Sequence, residues 1–144
     1  MILISACIIV KNEENNIGRC LDSIRDVTDE IIIVDESSTD NTVKICQNYT
    51  DQIFNFEWTG SFADKRNYAS EKARNEWILV IDADEFLTED SKNEIRQIRD
   101  ESNFSAFTIR RLSYIFGKYM WEENMTRLYK KSRSQWRGKV HAWR

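Results

Sequence analysis

Proline is absent from this chain, histidine occurs once, glycine four times and cysteine three times. With no proline, no repeat and no low-complexity stretch, nothing marks a linker between domains. Cys7, Cys20 and Cys46 form no CxxC pair and are odd in number, which argues against a disulfide framework and against a zinc site. They read as small buried apolar residues in a reducing compartment. The lone histidine, His141, would leave any serine or cysteine hydrolase triad hanging on one residue near the chain end. No apolar run approaches the roughly 20 residues that cross a bilayer. The opening MILISACIIV lacks a basic leader and reads as a strand, not a signal peptide. The expected location is the cytoplasm.

What is present suffices for one core: 144 residues, 41% hydrophobic and 12% aromatic, suit a single globular domain. The net charge of −3 hides an asymmetry, because residues 1–109 carry 11 Lys/Arg against 22 Asp/Glu whereas residues 110–144 carry 10 against 2. The basic tail is either a solvated face balancing an acidic body or a contact for phosphates or a membrane surface.

Periodicity gives the order of elements. ILISACIIV is a near-continuous β-rich run, and Ile17, Cys20, Leu21 and Ile24 then fall on one helical face. EIIIVD, with four β-branched residues in a row, predicts a strand covered on both sides, and Ser38 or Thr39 would cap a helix from about 40 to 49. QIFNFEW alternates less cleanly. Ser61 would cap a helix carrying Phe62, Arg66, Ala69 and Ala73 on one side, EWILVID reads as a fourth strand, and residues 89–101 as another helix. From Phe104 onward the pattern changes to shorter β-like pieces punctuated by Gly117 and Gly138. Strands alternating with helices imply an α/β fold with a mostly parallel central sheet, helices on both faces, and a short β-rich C-terminal part.

Ligands of such sheets bind at the carboxyl ends of strands. Lys11, Asn12 and Glu13 follow strand one, Asp35 to Ser38 follow strand two, and Asp82 to Glu85 follow strand four, so all three clusters open onto one edge. The last cluster poses a physical question. Carboxylates crowded together repel one another, so Asp82, Asp84 and Glu85 call for a positive partner. In an extended backbone Asp82 and Asp84 would point the same way and converge on a divalent cation, Mg²⁺ or Mn²⁺, or divide between a cation and a ribose. A DxD alone is a weak signal, since a strand end before an acidic helix cap gives the same letters.

Four segments together are more specific. CIIVKNEENNIGRCLDSI, EIIIVDESSTDNT, ADKRNYASEKARNEWILVIDADE and TRLYKK...WRGKVH, in this order over nearly the whole chain, resemble family 2 glycosyltransferases. Within that family they look most like bacterial enzymes of the lipopolysaccharide-core type. The resemblance implies a Rossmann-like fold of the GT-A type and an inverting, metal-assisted transfer from a nucleotide-diphospho-sugar, most readily a UDP-sugar, to a saccharide or lipid-linked acceptor. It also implies one domain over 1–144, in which 1–103 is the nucleotide-sugar-binding half and 104–144 the start of a truncated acceptor side. By position, Val10, Lys11 and Glu13 would line the nucleotide pocket and Asp35 would accept a hydrogen bond from the base. Arg66 would approach the base or diphosphate, Asp82 the ribose side, and Asp84 the metal. Glu123 matches an acidic position before the Arg-Leu-aromatic segment and is either the catalytic base or an idle turn glutamate. His141 is a candidate metal ligand or diphosphate contact, but Ala142 stands where relatives commonly carry Glu.

Among the tryptophans, Trp58 and Trp77 read as core, while Trp121, Trp136 and Trp143 are candidates for an acceptor or membrane interface. Other readings remain. A receiver-type domain would want an acidic pair after strand one, and a nucleotidyltransferase a Gly-rich phosphate loop. A truncated, non-catalytic nucleotide-sugar-binding module fits the same letters. Nucleic-acid binding is disfavoured by the acidic pI near 5.3.

Overall fold

The computed structural model describes residues 1–100 and 103–137. Its strands are β1 (Ile4–Val10), β2 (Glu30–Asp35), β3 (Ile53–Asn55), β4 (Trp77–Val80), β5 (Ala106–Ile115) and β6 (Lys118–Lys130). The helices are α1 (Ile17–Ile24), α2 (Thr42–Cys46), α3 (Phe62–Lys72) and α4 (Glu89–Ile98). One six-stranded sheet runs β3-β2-β1-β4-β6-β5, parallel across the first four strands and antiparallel at β6 and β5. This is the mixed α/β architecture expected from the alternating pattern.

Alternation along the strands divides the core into two layers. Ile4, Ala6, Ile8 and Val10 of β1 face Ile17, Cys20, Leu21 and Ile24 of α1, with Cys46 of α2 and Ile95 of α4 in the same cluster. Cys7, Ile32, Val34, Ile78 and Val80 face the other way, against Ala63, Ala69 and Ala73 around α3. The four α1 residues singled out by spacing are all 0% exposed. Burial of each large aliphatic chain among them contributes about 1.5–3 kcal/mol.

Three local expectations change. The second helix is shorter than residues 40–49 and begins after Asn41, whose side chain makes no cap. Ser38 is engaged elsewhere, and Asp40 Oδ1 accepts from the Thr42 backbone N–H at 2.9 Å, a local bond that displaces the earlier helix start. The α3 cap is as read, with Ser61 accepting from the Asp64 N–H, and Arg66, Ala69 and Ala73 are buried as expected, but Phe62 is only half-buried and Ala63, Lys65 and Ser70 join the buried side. The C-terminal part is one long ribbon, not short pieces. Phe116 (φ 50°) and Gly117 (φ 74°) both take left-handed backbone, and such two-residue turns match the twist of a hairpin. Beyond Thr108 and Thr126 the ribbon extends past β4, which pairs with β6 only over Leu128 to Lys130.

Candidate functional site at the carboxyl edge

Because β1, β2 and β4 are parallel neighbours, their following loops emerge side by side. Val10 pairs with Asp35, which sets the first two loops level. Asn12 (φ 51°) and Ser37 (φ 50°) both adopt left-handed backbone, costly for residues with a side chain and held by surrounding bonds. The Asn12 N–H donates to Ser38 Oγ at 2.9 Å and Asn12 Oδ1 accepts from the Thr39 N–H at 2.8 Å. The Glu13 N–H donates to Thr42 Oγ1 at 2.8 Å, and Glu14 accepts from the Asn41 N–H at 3.1 Å. Two loops distant in sequence are thereby stitched into one rim.

The candidates on this rim differ in what they offer. The Val10 side chain is buried in the core, 1% exposed, and its carbonyl already accepts from the Glu36 N–H at 3.0 Å. Asp35 is buried, accepting from the Ser38 N–H at 3.1 Å and from Ser38 Oγ at 2.5 Å. Glu13 is half-buried and accepts from Asn16 Nδ2 at 3.1 Å. Lys11 is exposed and donates to Glu36 at 3.3 Å. Glu36 also pairs with the buried Lys65, and that hydrogen bond holds its pKa below the usual carboxylate value, against the upward pull of burial.

The third loop departs from the extended geometry expected for the DxD. β4 ends at Val80 and residues 82–85 form a turn closed by the Glu85 N–H donating to the Asp82 carbonyl at 2.9 Å. Strand alternation therefore no longer governs Asp82 and Asp84. Asp82 is half-buried between two guanidinium groups, Nη2 of Arg66 at 3.1 Å and Nη2 of Arg127 at 3.6 Å, while Asp84 is exposed. Glu85 Oε1 accepts from the Asp82 N–H at 2.8 Å, and Glu85 pairs with Arg127 at 3.1 Å. The positive partner that the crowded carboxylates call for is thus supplied in part by the chain itself.

Electrostatics follow from this packing. Burial raises the Glu85 pKa, Arg127 opposes it and Asp82 adds to it. Burial also draws Arg66 below the usual arginine value, while Asp82 pulls it back up. Arg66 is 7% exposed and lies over the Trp136 ring at 4.4 Å, a cation–π contact in a desolvated place. Burial pushes the Cys20 thiol up to about 12, and its Sγ lies 3.5 Å from the Asp82 carbonyl.

Glu123 lies on β6, not in a turn, where it is exposed and ion-paired with Arg111 across the hairpin. Arg111 also approaches Glu85 at 3.8 Å, so Glu123 is linked through Arg111, Glu85 and Arg127 to Asp82. His141 lies outside the described residues, as does Trp143. Spacing alone missed Arg111 and Arg127. The one legible signal for Arg127 is its place before Leu128 and between Met125 and Tyr129 two residues to either side in a strand, where a charge needs a partner.

Two tryptophan readings are corrected. Trp136 is buried, 5% exposed, donating to the Tyr129 hydroxyl at 2.9 Å, so it is core and not an acceptor surface. Trp58 is 48% exposed and not core. Trp77 is buried as read, and Trp121 is 46% exposed on the ribbon.

A cavity of about 820 Å³ lies elsewhere, between α3 and the segment after β6. Within its polar lining Lys131 Nζ donates to the Ala73 carbonyl at 2.7 Å and Glu76 accepts from Ser132, and none of the carboxyl-edge candidates lines it. Among the described residues no three His, Cys, Asp or Glu side chains are grouped to hold a metal. Asp82 is committed to arginines, whereas Asp84 has no ion-pair partner among the described residues. A divalent ion held by one or two carboxylates plus phosphate oxygens fits that supply, whereas an all-protein cage does not.

Comparisons with known proteins agree on the family. The Glycosyl transferase family 2 model matches residues 5–142. An uncharacterized glycosyltransferase of Rickettsia typhi is 37% identical over 112 residues, 76% of this chain and 38% of the relative. Glycosyltransferase SunS of Bacillus subtilis is 34% identical over 148 residues, 96% of this chain and 34% of the relative. The chain spans 28% to 46% of the length of the curated relatives it matches. Among solved structures, residues 1–349 of S. aureus TarS in complex with UDP superpose with a TM-score of 0.60 at 21% identity, over 81% of this chain and 37% of that one. Glucosyl-3-phosphoglycerate synthase from Mycobacterium tuberculosis, bound to Mn²⁺ and UDP, gives 0.50 at 21% identity, over 56% of this chain and 33% of that one. The shared architecture is the GT-A fold.

Proposed function

The chain belongs to glycosyl transferase family 2, and from that premise we propose that it binds a nucleoside-diphospho-sugar at the carboxyl edge and transfers the sugar, with inversion, to an acceptor hydroxyl. The observation that carries this reading is the meeting of Asp35, Asp82 and Asp84 loops on one rim with Arg66 and Arg127 behind them. A UDP-sugar is the donor that the UDP and UDP-GlcNAc complexes of TarS favour.

In this reading Asp35 accepts from the base, Lys11 and Glu13 border it, Arg66 and Arg127 fix Asp82 on the ribose side, and Asp84 holds a divalent cation, Mg²⁺ or Mn²⁺. The Mn²⁺ bound by the mycobacterial synthase supports such an ion. When bound, the cation neutralises charge on the diphosphate as the sugar C–O bond breaks. The acceptor oxygen forms the new bond from the opposite side of the sugar, and its proton passes to a carboxylate, for which Glu123 is the candidate. His141 is carried as a further ligand or diphosphate contact.

Residues 1–103 form the donor half and 104–144 the start of the acceptor half, where a glycan or glycolipid hydroxyl would enter. The lipopolysaccharide-core-type subgroup rests on the sequence segments. Peripheral contact at the inner face of a membrane would use the ribbon, where Ile115, Phe116, Met120 and Trp121 are exposed beside Lys118 and no acid occurs between Leu112 and Trp121. No helix among the described residues is long and apolar enough to cross a membrane. The three buried free cysteines support a cytoplasmic location. A nucleotide-sugar-binding module without turnover is the second reading, favoured by the ion pair that occupies Glu123.

The test is calorimetric titration of UDP with and without Mn²⁺, followed by UDP release from a panel of UDP-sugars with saccharide acceptors. Binding strengthened by Mn²⁺ and acceptor-stimulated release are expected. No nucleotide binding under either condition would overturn the reading, and binding without release would favour the module.

A further inference from the structure

The loop after β3 carries an exposed aromatic surface that the roles above leave unused. Trp58 follows β3, whose Asn55 pairs with Asp35 and whose next residue, Phe56, donates its N–H to the Asp35 carbonyl at 2.9 Å. The segment carrying Trp58 therefore leaves the carboxyl edge next to the strand that carries Asp35. About half of Trp58 remains open to solvent, 48%.

A solitary exposed tryptophan needs no explanation, because apolar atoms cover much of any protein surface. Trp58 is not held like a solitary side chain. Phe62, at the start of α3, packs against it edge-on with ring centroids 5.0 Å apart. The Lys65 ammonium stands over the indole at 4.6 Å from the centroid, and Lys65 is 1% exposed, with its charge tied to Glu36. Taking an ammonium out of water is costly unless it is paired and hydrogen-bonded. Here the buried cation, tied to Glu36, fixes an indole in place beside the end of β2. A flat, electron-rich surface pre-set in this way suits a planar ring, and the planar part of a nucleoside diphosphate is its base.

We propose that Trp58 is the stacking wall for the base of the nucleotide donor, with Lys65 and Phe62 as the residues that position it. This rests on the nucleotide-sugar reading of the same rim. It adds a hydrophobic face to a site otherwise built of hydrogen bonds and charges, and gives Lys65 a task that an ion pair with Glu36 alone does not require.

The experiment compares UDP with pyrophosphate, which lacks base and ribose, both titrated calorimetrically in the presence of Mn²⁺ into the wild-type chain, Trp58→Ala and Trp58→Phe. Trp58→Ala should weaken UDP about tenfold or more, the scale of lost base stacking, and leave pyrophosphate unchanged. Trp58→Phe should keep most of the UDP affinity while losing the part of the tryptophan fluorescence change that UDP produces in the wild type. UDP affinity unchanged in Trp58→Ala, with Asp35→Ala still weakening it, would overturn the stacking role and leave the nucleotide site standing. Equal losses for UDP and pyrophosphate would overturn it too, since the indole would then act on the fold. Failure of the wild type to bind UDP at all would remove the donor site and this wall together.

Discussion

Arg66 Nη2 lies 3.1 Å from Asp82 Oδ1, joining the middle of α3 to the loop after β4. The arginine side chain is 8% exposed and the aspartate 36%, so the pair straddles the boundary between core and rim. Removing one partner of a fully buried pair costs about 3–5 kcal/mol, and the partial exposure of Asp82 reduces that here. Arg66→Ala should therefore destabilise the fold by about 1–3 kcal/mol, with loss of the stack on Trp136 included. Urea unfolding measures this directly. A change below about 0.5 kcal/mol, typical of surface substitutions, would show that Arg66 does not anchor the loop.

Asp35 leads to a binding prediction. Its carboxylate is held by Ser38 through both backbone N–H and hydroxyl, at 3.1 and 2.5 Å, which fixes its direction before any ligand arrives. A base donor placed against it and then deprived of its acceptor loses about 1–3 kcal/mol. Asp35→Ala should weaken UDP binding by that amount in calorimetry. An unchanged dissociation constant would contradict the role.

Asp84 separates metal from fold. It is exposed, so Asp84→Asn should leave stability within about 0.5 kcal/mol of wild type. It should nonetheless abolish the strengthening of UDP binding by Mn²⁺, because a charged oxygen ligand is gone. The same Mn²⁺ effect in the variant would assign the ion to another residue.

The sheet and its edge were legible because they depend on local patterns. EIIIVD and WILV announce buried strands, the Ile17, Cys20, Leu21 and Ile24 spacing announces the face of α1, and the parallel order then brings three loops to one side. What stayed hidden depends on partners far along the chain. Nothing within IDADE says that β4 stops at Val80, or that Asp82 will be claimed by Arg127, 45 positions away. Trp136 read as surface because its partners, Arg66 and Tyr129, come from α3 and β6. The ribbon was underestimated because Phe116 takes left-handed backbone, which its residue type does not signal.

Two carboxylates on this edge should divide the pH response of the fold. Glu36 has a folded pKa below 4.5, chiefly through the Lys65 hydrogen bond, so the unfolded chain binds its proton more readily. Its contribution is present above about pH 4.5 and is lost as pH falls through the lower folded value. Glu85 is the reverse case. Burial raises its folded pKa above 4.5, so its contribution is complete below 4.5 and is lost as pH rises through the folded value. Tm measured from about pH 3 to about pH 7 should fall more gently on acidification in Glu36→Gln than in wild type, because one proton-linked loss is gone. Glu85→Gln should instead steepen the net rise of Tm above about pH 4.5, by removing a group whose ionisation works against the fold. Profiles of both variants parallel to wild type would mean that neither side chain keeps its shifted environment in solution.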